Sequence, residues 1–288
     1  MQVRTISILG AGLMGTGIAH VSAVAGYRTV VYDIGKDILE RAQRQIDSNL
    51  QKGVELGKLT REQAAAALGS LIVTIDRDEA AECDFLIEAA PENIDLKIKI
   101  FSEWDTIVPA HAVFASNTSG LSITEMAAVT GRPQQFIGMH FFNPVHKMKL
   151  VEIIRGLETS DQTFQITEAV GKKMGKETVS VRESPGFVTS RINALIGNEA
   201  FFMLQEGIAS PQDIDKALKL GLNHPMGPFE TVDLVGLDTR LSILQYLHQT
   251  LGEKYRPCPL LVQYVRAGRL GRKVGKGVYD YSPESQKI

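Results

Sequence analysis

The run Ile6-Ser7-Ile8-Leu9 leads directly into Gly10-Ala11-Gly12-Leu13-Met14-Gly15 and then into a stretch with helical spacing. A buried strand that turns into a helix over G-x-G-x-x-G forms a cradle for a pyrophosphate. Gly10 permits the tight turn, Gly12 admits close approach of backbone to phosphate, and Gly15 lets helix and sheet pack closely. The helix start, through Leu13 and Met14, offers unpaired N–H groups and the positive end of the helix dipole. The motif alone is a weak signal, but a second apolar run, Thr29-Val30-Val31-Tyr32, ends in Asp33, 21 residues after Gly12. A carboxylate at that distance is placed to accept the ribose hydroxyls of NAD.

With 288 residues the chain is long enough for one large domain or two. Its formal net charge of -2 leaves no global basic field, so nucleic acid is not an expected partner and any polyanionic ligand must find a local site. Cys83 and Cys258 stand in neither a C-x-x-C pair nor a metal-ligand spacing; they read as packing thiols of a reducing compartment, and no metal is implied. No apolar run approaches the length of a membrane span, and the first strand begins almost at Met1, without a leader-like segment before it. The expected location is therefore the cytoplasm, with no membrane partner.

Downstream, strand and helix signals alternate. Lys36 to about Gly53 reads as a polar helix, and the capping-box pattern Thr60-Arg61-Glu62-Gln63 opens a second, completing a helical hairpin. Leu71 to Ile75, Phe85 to Ala89, Val113 to Ser116 and Phe136 to Phe142 read as strands, with helices over Leu96 to Val108 and Ile123 to Val129. Such alternation builds a parallel sheet. The loop from Asn143 to Met148 is too short for a helical crossover, so the strand from Leu150 to Ile154 is expected to run antiparallel to the one before it. A helix from about Thr163 to Lys173 and a strand from Thr178 to Val181 complete a first domain, residues 1–183. Ser184-Pro185-Gly186 opens a second, residues 184–288. There the strand pattern disappears: Val188 to Glu206, Pro211 to Leu220, Pro228 to Thr250 and Pro259 to Ala267 all read as helices, with prolines at first-turn positions. The expected architecture is an α/β dinucleotide-binding domain of Rossmann type followed by an all-α C-terminal domain.

His140 falls at or near the end of a strand, where ligands sit in an open α/β sheet. Glu152 lies twelve residues on, and the two are symmetric about His146, so an antiparallel turn brings them together. A carboxylate there fixes the imidazole tautomer and stabilises its protonated form. Oxidation of a secondary alcohol needs such a base, to take the hydroxyl proton as hydride leaves carbon and to return it in reverse. A hydrogen-bonded core histidine would share the same pattern. Ser116-Asn117-Thr118-Ser119 follows a strand and suits a loop that touches both nicotinamide and substrate, with Asn117 toward the cofactor. An N-cap cluster fits those residues equally well, and Asn143 before Pro144 reads locally as a turn former.

Taken together, Gly10 to Gly15, Glu88-Ala89-Ala90-Pro91-Glu92, Ser116 to Ser119, His140-Phe141-Phe142-Asn143-Pro144, Glu152 and Ser184-Pro185-Gly186-Phe187 resemble the L-3-hydroxyacyl-CoA dehydrogenases, in their short monofunctional form, over nearly the whole chain. The resemblance implies an NAD-dependent oxidoreductase that moves hydride between the cofactor and C3 of a short (S)-3-hydroxyacyl-CoA and its 3-ketoacyl-CoA. The expected pair is 3-hydroxybutyryl-CoA and acetoacetyl-CoA. It makes His140 the catalytic base, Glu152 its orienter and Ser119 the hydroxyl that positions the substrate, and it places Glu92, Lys97, Asn143 and Lys273 at the cofactor.

One departure concerns the segment after Pro-Gly-Phe, where the family commonly has Asn followed by Arg. This chain has Val188-Thr189-Ser190-Arg191, so Ser190 replaces the amide, and Asn193, one helical turn on, is the alternative carrier of the substrate contact. The Lys36 to Leu68 hairpin resembles the arm that meets CoA, which makes Lys52 and Lys58 phosphate candidates, although exposed lysines on such helices are ordinarily only solvated. The resemblance also implies a homodimer through the C-terminal domain. Two rivals share parts of this pattern. One is a sugar-acid dehydrogenase acting on L-gulonate; the other is a crystallin-like NAD-binding protein without catalysis, against which the retention of both His140 and Glu152 speaks.

Overall fold

The computed structural model describes residues 2–282, and the chain forms two compact units, the first ending at Ser184 and the second beginning at Pro185. In the first unit, β1 (Thr5–Leu9), β2 (Arg28–Tyr32), β3 (Leu71–Thr74), β4 (Phe85–Glu88), β5 (Val113–Ser116), β6 (Phe136–Phe141), β7 (Leu150–Arg155) and β8 (Glu177–Arg182) make one sheet. Its order is β3-β2-β1-β4-β5-β6-β7-β8, and every neighbouring pair is parallel except β6 and β7. The connecting helices are α1 (Leu13–Val24), α2 (Lys36–Glu55), α3 (Arg61–Gly69), α4 (Arg77–Ala81), α5 (Ile94–Asp105), α6 (Ile123–Ala128) and α7 (Asp161–Lys173). The strand order switches direction between β1 and β4, the point at which open α/β sheets take their ligands.

Local sequence accounts for these elements. β4, β5 and β6 are buried along their whole length, as near-continuous apolar runs require when both faces of a parallel sheet are covered. Ile6, Ile8, Ile87 and Ile153 of the sheet join Ile18 of α1 and Ile46 of α2 in one core. Thr60 and Gln63 close the start of α3 reciprocally, and Asn93, Ser122 and Ser160 each accept a first-turn amide of α5, α6 and α7. Each cap satisfies a donor that the helix itself leaves without a partner. α1 differs: its N-cap is Gly12, which contributes no side-chain bond.

The second unit is helical: α8 (Thr189–Gln205), α9 (Pro211–Gly221), α10 (Pro228–Val235), α11 (Leu237–Leu251) and α12 (Pro259–Arg266) enclose Phe201, Phe229, Leu244 and Tyr255. The single helix expected over Pro228 to Thr250 is in fact two. Gly236, at φ 105°, ends α10 and opens α11, a conformation that glycine alone adopts without steric cost. No helix among the described residues is long and apolar enough to cross a membrane, and no cluster of three potential metal ligands occurs among them.

Candidate active site

The turn from β1 into α1 closes only because two glycines lack side chains. Gly10 has φ 102°, and a Cβ there would stand 2.8 Å from the Ala89 carbonyl oxygen; a Cβ on Gly15 would stand 1.8 Å from that of Gly10. At Gly12, by contrast, a Cβ would meet nothing within 4 Å, and this position opens onto a cleft of about 650 Å³. Asp33, following β2, accepts the Ala11 amide at 2.8 Å and the Gly35 amide at 3.0 Å. Its carboxylate is thereby fixed beside the cradle and retains lone pairs for ribose hydroxyls. A bare glycine surface, a first helical turn without a side-chain cap and a fixed acid on the neighbouring strand fit the pyrophosphate and ribose of NAD.

The antiparallel register sets His140 directly opposite Glu152. Nδ1 of His140 lies 2.7 Å from Oε2 of Glu152, and both side chains are buried. Because a carboxylate accepts at Nδ1, the neutral ring is assigned its proton there and its lone pair at Nε2, the nitrogen suited to acid–base exchange. The Phe142 ring packs 4.4 Å from that of His140. Asn117, expected toward the cofactor, has its side-chain oxygen engaged by the Phe141 amide at 2.9 Å. The loop after β5 thus holds the strand that carries the base.

That loop is held in turn by Glu92, which accepts from the Thr118 hydroxyl at 2.6 Å and from the Ser119 amide at 2.7 Å. Glu88, closing β4, is fully buried and accepts from Lys97 Nζ at 2.5 Å, the Ser116 hydroxyl at 2.6 Å and the Ala90 amide at 2.6 Å. Burial pushes the Glu88 carboxyl up, against the opposing effects of Lys97 and these hydrogen bonds. Lys97 is only 1% exposed, also donates to the Ala90 carbonyl, and stands 3.5 Å from Glu92. Ringed by three acceptors, it supports the Ala89–Glu92 loop. Glu88 escaped sequence reasoning as a site residue. Its signal was a carboxylate ending the buried run Phe-Leu-Ile-Glu, which demands a partner.

The remaining candidates lie on other segments of the chain. Asn143 is exposed and lines the cleft with Pro144, Val145 and His146. Lys52 is exposed in the last turn of α2. Ser190 and Asn193, half-buried on α8, and Lys273 belong to the second unit, where Lys273 binds both carboxylate oxygens of Asp238 at 2.6 Å.

Residues 5–184 match the model of the 3-hydroxyacyl-CoA dehydrogenase NAD binding domain, and residues 186–281 that of the 3-hydroxyacyl-CoA dehydrogenase C-terminal domain. The chain belongs to the 3-hydroxyacyl-CoA dehydrogenase family. It is 46% identical over 286 residues to the probable 3-hydroxybutyryl-CoA dehydrogenase of Bacillus subtilis, covering 99% of this chain and 100% of that one. The crystal structure of (S)-3-hydroxybutyryl-CoA dehydrogenase PaaH1 from Ralstonia eutropha superposes with a TM-score of 0.95 at 48% identity, covering 98% of this chain and all of that one. The 3-hydroxyadipyl-CoA dehydrogenase of Escherichia coli is 37% identical over 100% of this chain and 61% of its own length. The first unit is the NAD-binding domain of this dehydrogenase family, and NAD is its dinucleotide.

Proposed function

We propose that the protein interconverts a short (S)-3-hydroxyacyl-CoA and its 3-ketoacyl-CoA with NAD, the pair 3-hydroxybutyryl-CoA and acetoacetyl-CoA foremost. The observation that carries this reading is the buried His140–Glu152 pair, 2.7 Å apart, in the unit that holds the dinucleotide cradle. NAD, when bound, supplies the hydride acceptor. His140 Nε2 takes the proton of the C3 hydroxyl, and Glu152 stabilises the imidazolium that results; in reduction the imidazolium returns the proton to the ketone oxygen. Ser119 orients the substrate oxygen, while Glu92, Asn117 and Asn143 border the nicotinamide end. Ser190 or Asn193 contributes from α8, and Lys273 from the segment after α12.

We assign cofactor binding to residues 1–183, and substrate binding and dimerisation to residues 184–288. Leu220, Leu222, Val235 and Val274 leave apolar side chains exposed in the second unit, surface that self-association would cover. A cytoplasmic setting and a place in fatty acid or butanoate metabolism accord with a CoA thioester substrate.

Steady-state NADH oxidation with acetoacetyl-CoA, longer 3-ketoacyl-CoAs and, in the other direction, NAD reduction with L-gulonate tests the reading. Turnover of acetoacetyl-CoA is expected. Activity with L-gulonate alone, or NADH binding without turnover of any of them, overturns it. Asp33 predicts NADH over NADPH by on the order of 10²-fold, because a 2′-phosphate would face a carboxylate within a few ångströms.

A further inference from the structure

β6 ends at Phe141 and β7 begins at Leu150, so the connection between them starts one rung beyond the His140–Glu152 pair. That connection closes on itself at Pro144, whose carbonyl accepts the Lys147 amide at 2.9 Å and the Met148 amide at 3.0 Å. The last carbonyls of a single helical turn find no partner within it. Lys176 supplies one: its Nζ donates to the Val145 carbonyl and, at 2.8 Å, to the Met148 carbonyl. The lysine is itself anchored. Its amide bonds the Gly171 carbonyl at 3.0 Å, and the next amide, of Glu177, bonds the Lys149 carbonyl at 2.8 Å. Helix α1, whose first turn belongs to the cradle, also meets this connection. A Cβ on Gly17 would stand 2.7 Å from the Val145 side chain, which is buried, and the His20 ring lies edge-on to that of His146 at 5.7 Å.

Lys176 is only 7% exposed, and among the described residues it is ion-paired with no carboxylate. Burial holds its ammonium below the ordinary lysine range. An apolar side chain of similar length would fill the same space without desolvating a charge. What the ammonium adds is direction, through two charge-assisted bonds that fix two carbonyls of one turn. Among the described residues, these are the side-chain hydrogen bonds that the segment from Asn143 to Met148 receives. We infer that Lys176 is a positioning residue of the reaction: by holding this turn against α1 it sets the spacing between the Gly10–Gly15 cradle and the His140–Glu152 pair. It thereby governs the chemical step rather than the binding of either reactant. The inference rests on the dehydrogenase reading above. Reacting atoms must approach to about 3 to 3.5 Å, and a displacement near 1 Å costs up to about 10²-fold in rate.

Lys176→Met is compared with wild type by amide hydrogen exchange in the free protein and by steady-state kinetics with acetoacetyl-CoA and NADH, the latter also deuterated at the transferred position. Exchange at Lys147 and Met148 is expected to quicken at least about tenfold, with the Ile6–Leu9 amides of β1 unchanged. In the same variant kcat should fall about 10- to 50-fold while both KM values stay within about threefold. The primary isotope effect on kcat should rise as hydride transfer becomes the slowest step. A lysine that served only the fold would leave kcat per folded molecule and the isotope effect at their wild-type values, and that result overturns the inference. So does a loss carried by either KM, or a fall in kcat without faster exchange at the turn. Lys176→Gln, with an uncharged donor on a shorter stem, covers the case in which Lys176→Met does not fold. It should show the same split at smaller size, and wild-type kinetics in it overturn the inference as well. Wild type that turns over no acetoacetyl-CoA refutes the proposed function, whereas active wild type beside an equally active Lys176→Met refutes the role of Lys176 alone.

Discussion

Two buried pairs of a base and a carboxylate stand at the ends of β4 and β6, on either side of β5, and they are built for opposite purposes. Glu88 and Glu152 both have no exposed surface. Around Glu88 the partners close completely: Lys97, Ser116 and Ala90 all donate to it, and Lys97 has further acceptors in Ala90 and Glu92. Around Glu152 the base is an imidazole with two nitrogens, and the carboxylate engages Nδ1. A lysine locked between acceptors cannot cycle its proton without stranding a buried charge, whereas an imidazole changes charge at one nitrogen while remaining held at the other. Burial and pairing alone therefore do not mark a catalytic group. The two pairs are joined through β5, where Ser116 bonds Glu88 and the adjacent Asn117 bonds the Phe141 amide.

The largest expected effect lies at His140. His140→Ala should lower kcat about 10²- to 10⁴-fold with NADH affinity nearly intact, and Glu152→Gln should reproduce part of that loss. Steady-state kinetics with NADH titrations checks this, and a double mutant whose defect equals the product of the single defects would show that the two residues do not act as a unit. At the other pair the damage should appear in stability. Lys97→Met leaves Glu88 buried without its cation, expected to cost about 3 to 5 kcal/mol by urea denaturation at neutral pH. Glu88 is already raised by burial, so the folded state favours its protonated form more than the unfolded chain does. The deficit of Lys97→Met should accordingly shrink below the ordinary carboxylate range and grow as pH rises. A loss under about 1 kcal/mol would mean that the lysine serves the cofactor more than the fold.

His20 shows what a buried base does with no carboxylate beside it. Burial, then His146 and Lys176, lower its pKa from 6.5 to about 4. The unfolded chain protonates first as pH falls, so the stability present above 6.5 is lost progressively down to about 4. At roughly 1.4 kcal/mol per pH unit this amounts to at most about 3 kcal/mol. The urea midpoint should fall more between pH 7 and pH 4 for wild type than for His20→Gln. Parallel shifts in the two proteins would remove His20 from the acid sensitivity.

How much of this was legible depended on sequence separation. The β6–β7 pairing could be read because a short antiparallel turn, symmetric about His146, leaves few registers. The cradle could be read because strand, glycines, helix and acid come in order. The break at Gly236 could not: buried Phe229, Val232, Leu237, Leu241 and Leu244 keep a near-helical spacing through it, and an isolated glycine inside such a pattern is ordinarily tolerated. The bonds that bury Lys97 could not be read because its partners come from β4, from the loop after it and, through Glu88, from β5. No local pattern records that meeting of three segments.

Ser190 was legible only as a departure, and its effect is expected to be the smallest. It occupies the position where the family commonly has asparagine, half-buried near the start of α8, with Asn193 three residues on. A single neutral hydrogen bond contributes about 0.5 to 1.5 kcal/mol net, well below either buried pair. Ser190→Asn should therefore keep the fold and leave kcat/KM for acetoacetyl-CoA within about tenfold of wild type. Alanine at each position in turn then locates the amide's role. A large loss for Asn193→Ala beside a small one for Ser190→Ala would place that role one turn along the helix, because residues three apart share a face and reach the same neighbour. The reverse pattern would leave it with the serine hydroxyl, which lacks the amide's paired donor and acceptor. In that case Ser190→Asn should raise kcat/KM rather than merely preserve it, and a fall on restoring the amide would show that the surrounding helix has adapted to the shorter side chain.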